Sequence, residues 1–294
     1  MHLTRKAWLM SEKFETLGYY NGHYDEIDRM TIPINDRVCW FGDGVYDVTY
    51  CRNYKIYTLK DHMDRFFSSA KQLDIKIPVS YDELCDLLER LVRLLRSDEQ
   101  MIYWQVTRGT EPRNHTYPEN TPGNLWVMLR PIPVKNTYSE IRLITVEDTR
   151  FYHCNIKTVN LLPNVMASQN AKRAGADEAV FHRGDRVTEC AHSNVSIIKD
   201  GIFITPPTDN LILPGIARKN LLRFCAENGI RCAERAFTVN EMMDADEVIV
   251  SSSGSFCLRA SEIDGKKVGG RAPDILKKLQ DTAVADFMKA TENK

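Results

Sequence analysis

No stretch of the sequence holds the roughly 20 consecutive apolar residues that a membrane-spanning helix needs. The start of the chain has only four apolar residues between Lys6 and Ser11, which is too few for the core of a signal peptide. We therefore expect a protein that stays in the cytoplasm and works away from a membrane.

An excess of charge of one sign is also missing. Lys and Arg number 39, Asp and Glu number 40, and the formal net charge at pH 7 is −1. Such a balance produces no global field that would attract nucleic acid or an anionic membrane. With 43% hydrophobic and 27% charged residues, the composition is that of a globular protein. We expect its partners to be small molecules.

The cysteines lack the spacing of a bonded or metal-binding set. All eight are scattered through hydrophobic segments, and none forms a C-x-x-C pair. This distribution is typical of reduced thiols that fill the core of a cytosolic protein. We expect no metal site.

The length of the chain favours more than one domain. At 294 residues it is longer than most chains that fold around a single hydrophobic core. The segment RPIPVKNTYSE contains two prolines and no hydrophobic periodicity, which favours a domain boundary. We predict an N-terminal α/β domain over residues 1–130, a linker over 131–136 and a C-terminal domain over 137–294.

The first half shows local signals for hairpins and helices. Asn21-Gly22 and the stretch RNYK predict hairpin turns. Apolar residues at helical spacing after Thr58 predict an amphipathic helix beneath a threonine cap. The segment from Ser80 to Glu83 predicts a capping box that opens a second helix. The stretches MIYWQVTR and LWVMLR then predict strands.

The second half is predicted to begin with strands over Ile141–Val146 and Asn155–Val159, followed by a helix from Pro163 that stops at Gly175. Later patterns predict more strands and two helices, within the segments DEAVFH, RVTEC, NVSIIKDGIFITP, LPGIARKN, DEVIVSSS and the C-terminal stretch from Pro273. Strands and helices cluster without regular βαβ alternation, which argues for an α+β fold.

One lysine stands apart in this half. The stretch NIKTVNLLPNVMASQNA holds a single charged residue, Lys157. A lysine in a strand most often faces solvent. The neighbours of Lys157 are apolar or neutral, however, and a weakly polar wall favours the neutral amine that attacks a carbonyl. Lys157 is therefore either an ordinary solvated residue or the Schiff-base lysine of an aldehyde cofactor.

An aldehyde cofactor such as pyridoxal phosphate also needs a phosphate cradle and an acid for its pyridine nitrogen. In LILPGIARKN, a glycine precedes a predicted helix whose first N–H groups, near Ile216 and Ala217, could hold a phosphate. The serine-rich turn SSSGS, residues 251–255, supplies hydroxyls and a glycine. Each signal alone is more often an ordinary turn.

Four blocks taken together resemble the fold-type IV pyridoxal-phosphate enzymes. They are FGDGVYDV, HMDRFFSSA, the long segment from Ile156 to Asn194 and LPGIARKNL. The stretch VTRGTEPRNHTYPEN is similar to the substrate-carboxylate loop of the D-amino acid aminotransferases within that family. The resemblance spans residues 17–281. It implies an α+β enzyme with a small N-terminal α/β domain and a larger C-terminal α/β domain of barrel-like character.

The resemblance also implies roles for individual residues. Lys157 matches the catalytic lysine that binds pyridoxal 5′-phosphate, and Glu189 matches the carboxylate beside the pyridine nitrogen. Leu213 matches the residue that packs on the pyridine ring. The phosphate is matched to a set that comprises Arg65, Ile216, Ala217, Ser252 and Ser253. The substrate is matched to a set that comprises Tyr46, Val48, Arg113 and His115. Individually, Arg65 and Glu189 could instead be exposed surface charges.

The implied activity is transamination between a D-amino acid, such as D-Ala or D-Glu, and a 2-oxo acid, such as 2-oxoglutarate or pyruvate. The resemblance implies a homodimer in which Arg113 and His115 complete the site of the neighbouring subunit. Branched-chain L-aminotransferases and aminodeoxychorismate lyases of the same fold are alternatives, as is a binding module without catalysis. Residues that depart from the family pattern leave side-chain preference open, and they are Ala191, His192, Gly254 and Arg259.

Overall fold

The computed structural model describes residues 13–293. The expectation that the start of the chain lacks a signal-peptide core therefore falls almost wholly outside the described residues. Across residues 13–293, no helix combines the length and the apolar character that crossing a membrane requires.

The chain separates into two compact units. The first unit contains the described residues up to Pro133, together with Lys157–Val159 and the residues from Ala290 onwards. The second unit contains Val134–Ile156 and Asn160–Lys289. The domain limits predicted from the sequence, with their linker at 131–136, remain a proposal.

The first unit is built on a six-stranded antiparallel sheet in the order β2-β1-β6-β5-β3-β4. Its strands are β1 (Leu17–Tyr20), β2 (His23–Asp25), β3 (Gly44–Arg52), β4 (Lys55–Ile56), β5 (Gln100–Thr107) and β6 (Asn124–Arg130). Its α-helices are α1 (Arg37–Phe41), α2 (Leu59–Gln72) and α3 (Tyr81–Leu91). Single 3₁₀ turns span Ile27–Arg29 and Val92–Leu94.

The local signals of the first unit are confirmed, with one exception. Asn21 and Gly22 have φ angles of 45° and 96°, and Asn53 has a φ of 53°, as tight hairpin turns require. Ser80 and Glu83 form the predicted capping box. Thr58, in contrast, takes a left-handed φ of 48°, so its side chain does not cap α2, and its buried hydroxyl has no hydrogen-bond partner. The threonine cap is therefore wrong, although the helix is present.

The second unit is built on a nine-stranded mixed sheet in the order β12-β11-β10-β13-β14-β7-β8-β9, with β15 paired to β14. Its strands are β7 (Glu140–Glu147), β8 (Glu178–Arg183), β9 (Arg186–Cys190), β10 (Asn194–Lys199), β11 (Ile202–Thr205), β12 (Arg231–Glu234), β13 (Glu247–Ser251), β14 (Leu258–Ile263) and β15 (Lys266–Lys267). Its helices are α4 (Leu162–Arg173), α5 (Ile216–Glu227), α6 (Val239–Met243) and α7 (Pro273–Ala290).

The two faces of the large sheet have different apolar neighbours. One face carries a core that includes Val195, Ile197, Val248 and Val250. A second apolar cluster includes Ala167 and Ala171 of α4 together with Ala179 and Phe181 of β8. Sheets and helices thus occur in both units without regular alternation, which confirms the α+β prediction.

The predicted strand over Asn155–Val159 is wrong. The segment makes a single isolated antiparallel bridge between Thr158 and Val45. A turn precedes it, since the Ile156 N–H donates to the His153 carbonyl at 3.1 Å, and α4 begins at Leu162. Only a short extended piece remains, because the residues before it form a turn and those after it form α4.

Candidate active site

Lys157 is fixed on β3 by its main chain. Its carbonyl accepts the Tyr46 N–H at 3.0 Å, and its own N–H donates to the Ser69 hydroxyl at 3.2 Å. The side chain is half-buried, and its Nζ lies 4.2 Å from the centroid of the Tyr46 ring. The amine therefore lies over an aromatic face rather than pointing freely into solvent.

Tyr46 and Val48 lie on the same face of β3, because alternate residues of a strand point the same way. Tyr46 stacks on Tyr103 of β5 with a centroid separation of 5.3 Å and an interplanar angle of 21°. The Tyr103 hydroxyl donates to Oε1 of Gln105 at 2.5 Å. Burial raises the pKa of Tyr103, so its hydroxyl stays protonated and available as a donor.

Asp47 points to the opposite face of β3, where α2 packs. Its fully buried carboxylate accepts Arg65 Nε at 2.9 Å and Arg65 Nη2 at 2.7 Å, and it pairs with His62 Nδ1 at 2.7 Å. Burial alone would raise the pKa of Asp47, but the charge of Arg65 and the bonds from His62 and Arg65 hold that pKa well below its usual range. Burial lowers the pKa of His62, against the attraction of Asp47.

Arg65 is therefore not the solvated surface charge that its sequence position also allowed, since its side chain is only 9% exposed. Its guanidinium forks onto Asp47. Asp47 therefore fixes the orientation of the Arg65 side chain.

Arg113 and His115 lie in the loop between β5 and β6, and both side chains are exposed. The Phe41 ring contacts both, with its centroid 5.2 Å from the His115 ring and 5.4 Å from Arg113 Cζ. The loop is closed at its base by Gly109, which has a φ of +102°. A Cβ at Gly109 would lie 2.3 Å from the Pro122 carbonyl oxygen, so only glycine fits there.

Glu189 lies on β9 in the second unit, and its carboxylate accepts hydrogen bonds from several neighbouring residues. It is 6% exposed, so the surface alternative for this residue is also wrong. Oε2 accepts the Leu213 N–H at 3.0 Å and Asn194 Nδ2 at 3.1 Å, while Oε1 accepts Arg150 Nη1. These three bonds fix the orientation of the Glu189 carboxylate.

Arg150 joins Glu189 to a second buried carboxylate. Its Nε and Nη2 donate to the two oxygens of Asp148, each at 2.9 Å. Burial would lower the pKa of Arg150, but the hydrogen bonds that it donates to Asp148 and the charge of Glu189 raise it above its ordinary value. Burial would raise the pKa of Asp148, but the hydrogen bonds and charge of Arg150 and the charge of Arg183 together lower it, so this carboxyl is ionised. Glu189 is thus held as part of a buried, charge-paired network.

Asn194 links Glu189 to the start of α5. Its Nδ2 donates to the Leu213 carbonyl at 3.1 Å as well as to Glu189. A Cβ at Gly215 would lie 1.9 Å from Asn194 Oδ1, so only glycine allows this approach. Gly215 is the N-cap of α5, and no side chain caps the helix. Backbone N–H groups in the first turn of such a helix, here those of Ile216 and Ala217, are of the kind that binds anions.

The serine turn lies beside the same asparagine. Ser251 pairs with Asn194 across β10 and β13, and Ser252 and Ser253 follow directly. The Ser252 and Ser255 hydroxyls are 2.8 Å apart. The Ser251 hydroxyl is buried without a hydrogen-bond partner. The structure therefore brings together the predicted residues of the second unit, namely Glu189, Leu213, Ile216, Ala217, Ser252 and Ser253.

The departures from the family pattern have structural neighbours of their own. The backbone N–H of His192, its Nδ1 and the Ser193 hydroxyl all reach the buried carboxylate of Glu178. Arg259 Nε donates to the fully buried Glu247 at 3.2 Å, so this arginine neutralises a core carboxylate. Ala191 lies in the apolar cluster of α4 and β8.

The residues that orient the predicted ones were not predicted from the sequence, and they are Asp47, His62, Asp148, Arg150 and Asn194. One signal was available for Asp47, because it alternates with the apolar pattern at a position that a buried strand face would take. No local signal marks Arg150 as the partner of Glu189, since the two are 39 positions apart.

The family model for amino-transferase class IV matches residues 44–263 of the chain. The chain belongs to the class IV aminotransferases. This aminotransferase is 41% identical over 277 residues to D-alanine aminotransferase of Listeria monocytogenes serotype 4b (strain F2365), covering 92% of this chain and 96% of that protein. It is 38% identical over 267 residues to D-alanine aminotransferase of Bacillus licheniformis, covering 90% and 94%.

Among solved structures, the aminotransferase is similar to the branched-chain amino acid aminotransferase from Escherichia coli, with a TM-score of 0.85 and 22% identity. The match covers 96% of this chain and 97% of that chain. At that identity the likeness establishes the fold alone.

Class IV aminotransferases use pyridoxal 5′-phosphate. The described residues fit this cofactor in two respects. The uncapped start of α5 and the Ser251 hydroxyl, which has no hydrogen-bond partner, both neighbour Asn194. Both are groups that can bind an anion such as a phosphate. Glu189 is a buried, oriented carboxylate of the kind that a pyridine N–H needs.

Proposed function

We propose that this class IV aminotransferase transfers an amino group between a D-amino acid, of the D-Ala or D-Glu type, and a 2-oxo acid such as 2-oxoglutarate or pyruvate. The observation that carries the proposal is 41% identity over 92% of the chain to a protein named D-alanine aminotransferase. The segment Pro112–His115, with an arginine and a histidine that both contact Phe41, supports it.

For the cofactor we propose that Lys157 binds the aldehyde of pyridoxal phosphate and that Leu213 packs on its ring. The phosphate is assigned to the side chain or backbone groups of Arg65, Ile216, Ala217, Ser252 and Ser253. When bound, the cofactor supplies an electron sink for the electron pair left at the substrate Cα. Helix N-termini and hydroxyls are typical partners of phosphate, which supports this assignment.

Lys157 is proposed to move the proton at the substrate Cα as general base and acid. Its main chain is fixed by hydrogen bonds to Tyr46 and Ser69, so only the long side chain has to move. Glu189 is proposed to keep the pyridine nitrogen protonated. The Arg150 guanidinium and the Leu213 N–H support this role, because they hold the carboxylate in one orientation.

The substrate α-carboxylate is proposed to bind Tyr46, Arg113 and His115, with Val48 beside the substrate. Arginine suits a carboxylate because its planar fork donates two parallel hydrogen bonds. We propose a homodimer in which Arg113 and His115 complete the site of the neighbouring subunit. The exposure of both side chains in the single chain supports their delivery to a partner.

We also propose that the enzyme works in the cytoplasm. All eight cysteines are free thiols, including Cys39 and Cys232, which are exposed. A reducing compartment keeps such thiols free.

The test compares kcat/KM for D-Ala and L-Ala, with 2-oxoglutarate as the acceptor, in the wild type and in Arg113→Ala. We expect the wild type to prefer D-Ala strongly, because the L-enantiomer cannot satisfy the carboxylate site and present its Cα hydrogen to Lys157 together. Arg113→Ala should cost roughly 2 kcal/mol or more of transition-state binding, which lowers kcat/KM for D-Ala by about 30-fold or more.

Arg130→Ala is the matched control, since Arg130 is an exposed arginine of the same unit and is assigned no role in the site. Its kinetics should equal those of the wild type. Faster turnover of L-Leu than of D-Ala would replace the proposal by the branched-chain alternative. Release of pyruvate from aminodeoxychorismate would favour the lyase, and the absence of a bound pyridoxal chromophore in the absorption spectrum would favour the binding module.

A further inference from the structure

We infer that Arg37 is a positioning residue, which holds the backbone of residues 114–116 and thereby sets the orientation of Arg113 and His115. The inference rests on the proposed function, in which those two side chains bind the substrate carboxylate. Arg37 begins α1, and it is 3% exposed although the loop that it contacts is exposed.

The Arg37 guanidinium reaches three successive carbonyl oxygens of the loop. Nη1 donates to the Asn114 carbonyl at 2.7 Å and to the Thr116 carbonyl at 3.5 Å, while Nη2 donates to the His115 carbonyl at 3.4 Å. The short bond to Asn114 is the main anchor, and the two longer ones confine the turn around it. The carbonyls of three adjacent residues thus converge on one buried cation.

A carboxylate fixes the plane of that cation from the other side. Arg37 Nε donates to Asp43 Oδ2 at 2.8 Å. The same carboxylate accepts Arg108 Nε at 2.9 Å, and the Arg108 guanidinium lies 3.7 Å from the centroid of the Tyr117 ring. Asp43 therefore connects two arginines, one beneath the loop backbone and one against the aromatic residue that follows it.

The helix that carries Arg37 also supports the side chains of the loop. Phe41 is one turn further along α1, and its ring contacts both Arg113 and His115. The helix is itself anchored, because its N-cap Asp36 accepts Thr107 Oγ1 at 3.0 Å and Asn124 Nδ2 at 2.8 Å. Backbone and side chains of the loop are thus both held by one rigid element.

The geometry requires arginine at this position. A guanidinium presents five N–H donors in a fixed plane, whereas an ammonium has three on a compact centre. Lysine could keep the ion pair with Asp43 and one carbonyl contact, but it could not donate to Asp43 and to all three loop carbonyls together. Methionine fills similar space without donors. The loop carbonyls can then turn to water, so the loop should loosen while the core of the unit remains folded.

The experiment compares Arg37→Met and Arg37→Lys with the wild type and with Gln100→Met. Gln100 is a matched control, because it is fully buried in the same unit and donates to the Val92 and Ser97 carbonyls, each at 2.7 Å, away from the loop. Two quantities are measured: hydrogen exchange of peptides covering residues 110–120, and kcat and KM for D-Ala. The cofactor absorption spectrum serves as a check on loading.

In Arg37→Met we expect exchange in residues 110–120 to rise by about tenfold and KM for D-Ala to rise by about tenfold, with kcat falling less than about threefold. Arg37→Lys should lie between Arg37→Met and the wild type. Gln100→Met should leave both quantities unchanged, even where it lowers the melting temperature. All three variants should keep the wild-type spectrum.

Wild-type exchange in the loop of Arg37→Met, or an unchanged KM, overturns the inference. If Arg37→Met does not fold, Arg37→Lys decides, since a raised KM with a normal spectrum supports the role and a wild-type KM refutes it. A wild type that is inactive with D-Ala overturns the proposed function instead. The exchange measurement then still decides whether Arg37 anchors the loop.

Discussion

Replacing Arg150 with methionine tests how Glu189 is held. The change removes one buried cation from between two buried carboxylates, Asp148 and Glu189. Removing one partner of a buried ion pair typically destabilises a protein by about 3–5 kcal/mol, because the other charge stays buried and uncompensated.

The structure places the expected loss at the lower end of that range. Asp148 keeps a contact with Arg183 Nε at 3.3 Å and a bond from Thr188 Oγ1 at 3.1 Å. Glu189 keeps the Leu213 N–H and the Asn194 amide. We therefore expect about 3 kcal/mol. Unfolding entropy of about 2.1 cal/mol/K per residue over 294 residues converts this loss into a fall of about 5 °C in Tm.

The loss should depend on pH in a defined direction. The pKa of Asp148 is depressed in the folded state, because the hydrogen bonds and charge of Arg150, with the charge of Arg183, together outweigh burial. The stabilisation that this carboxylate gives is therefore present above its unfolded pKa of about 3.9 and is lost as the pH falls through the folded value. The difference between the wild type and Arg150→Met should be largest at neutral pH and shrink below about pH 4.

The assay is urea unfolding at pH 7 and at about pH 3, below the unfolded pKa of Asp148, of the wild type, Arg150→Met, Glu189→Gln and the double variant. If the loss arises because Glu189 stays charged and buried without Arg150, the double variant should lose about 1–2 kcal/mol less unfolding free energy than the sum of the two single changes. Strict additivity, or an equal loss at both pH values, would show that Arg150 acts through packing alone and would refute the reasoning.

Three further outcomes follow from the same geometry. Lys157→Ala should abolish transamination and leave the unfolding midpoint nearly unchanged, since the side chain is half-buried; cofactor mass found on another lysine after borohydride reduction would contradict the assignment. Glu189→Gln should keep the cofactor bound but slow single-turnover proton abstraction by about 10-fold or more, as expected for a lost charge-assisted bond. Gly215→Ala should weaken cofactor binding, measured by equilibrium dialysis, because its Cβ would meet Asn194 Oδ1 at 1.9 Å; Gly201→Ala, which is strained by a φ of +73° but has open space around it, controls for a general loss of stability.

The features that the sequence predicted well depend on neighbours close along the chain. The capping box at Ser80 and Glu83 spans three positions, and the Asn21-Gly22 turn needs no distant partner. The unusual surroundings of Lys157 were likewise visible within a few residues. The strand predicted around Lys157 was wrong because an apolar, β-branched run does not specify which strand it pairs with. In this segment only Thr158 forms a bridge to a neighbouring strand.

The residues that orient the site could not be predicted in the same way. Arg150 and Glu189 are 39 positions apart, and Arg37 and Asn114 are 77 positions apart. An isolated arginine or aspartate in a sequence is most often a surface residue, so its own position carries no sign of burial. Such pairs are defined only when the fold brings two strands or a helix and a loop together.

The buried charges near the predicted residues are balanced, which bears on what each region can bind. Beside Lys157, Asp47 offsets Arg65, and burial keeps His62 largely neutral, so that cluster carries little net charge. Beneath the loop of Arg113, the guanidiniums of Arg37 and Arg108 share the carboxylate of Asp43, and the buried carboxylate of Asp36 lies at the start of the same helix. Two cations are therefore matched by two anions, and the scaffold beneath the loop adds no excess charge of its own. Under the proposed function, the positive charge that meets the substrate carboxylate is then that of Arg113 itself, so the removal of this one guanidinium should weaken substrate binding.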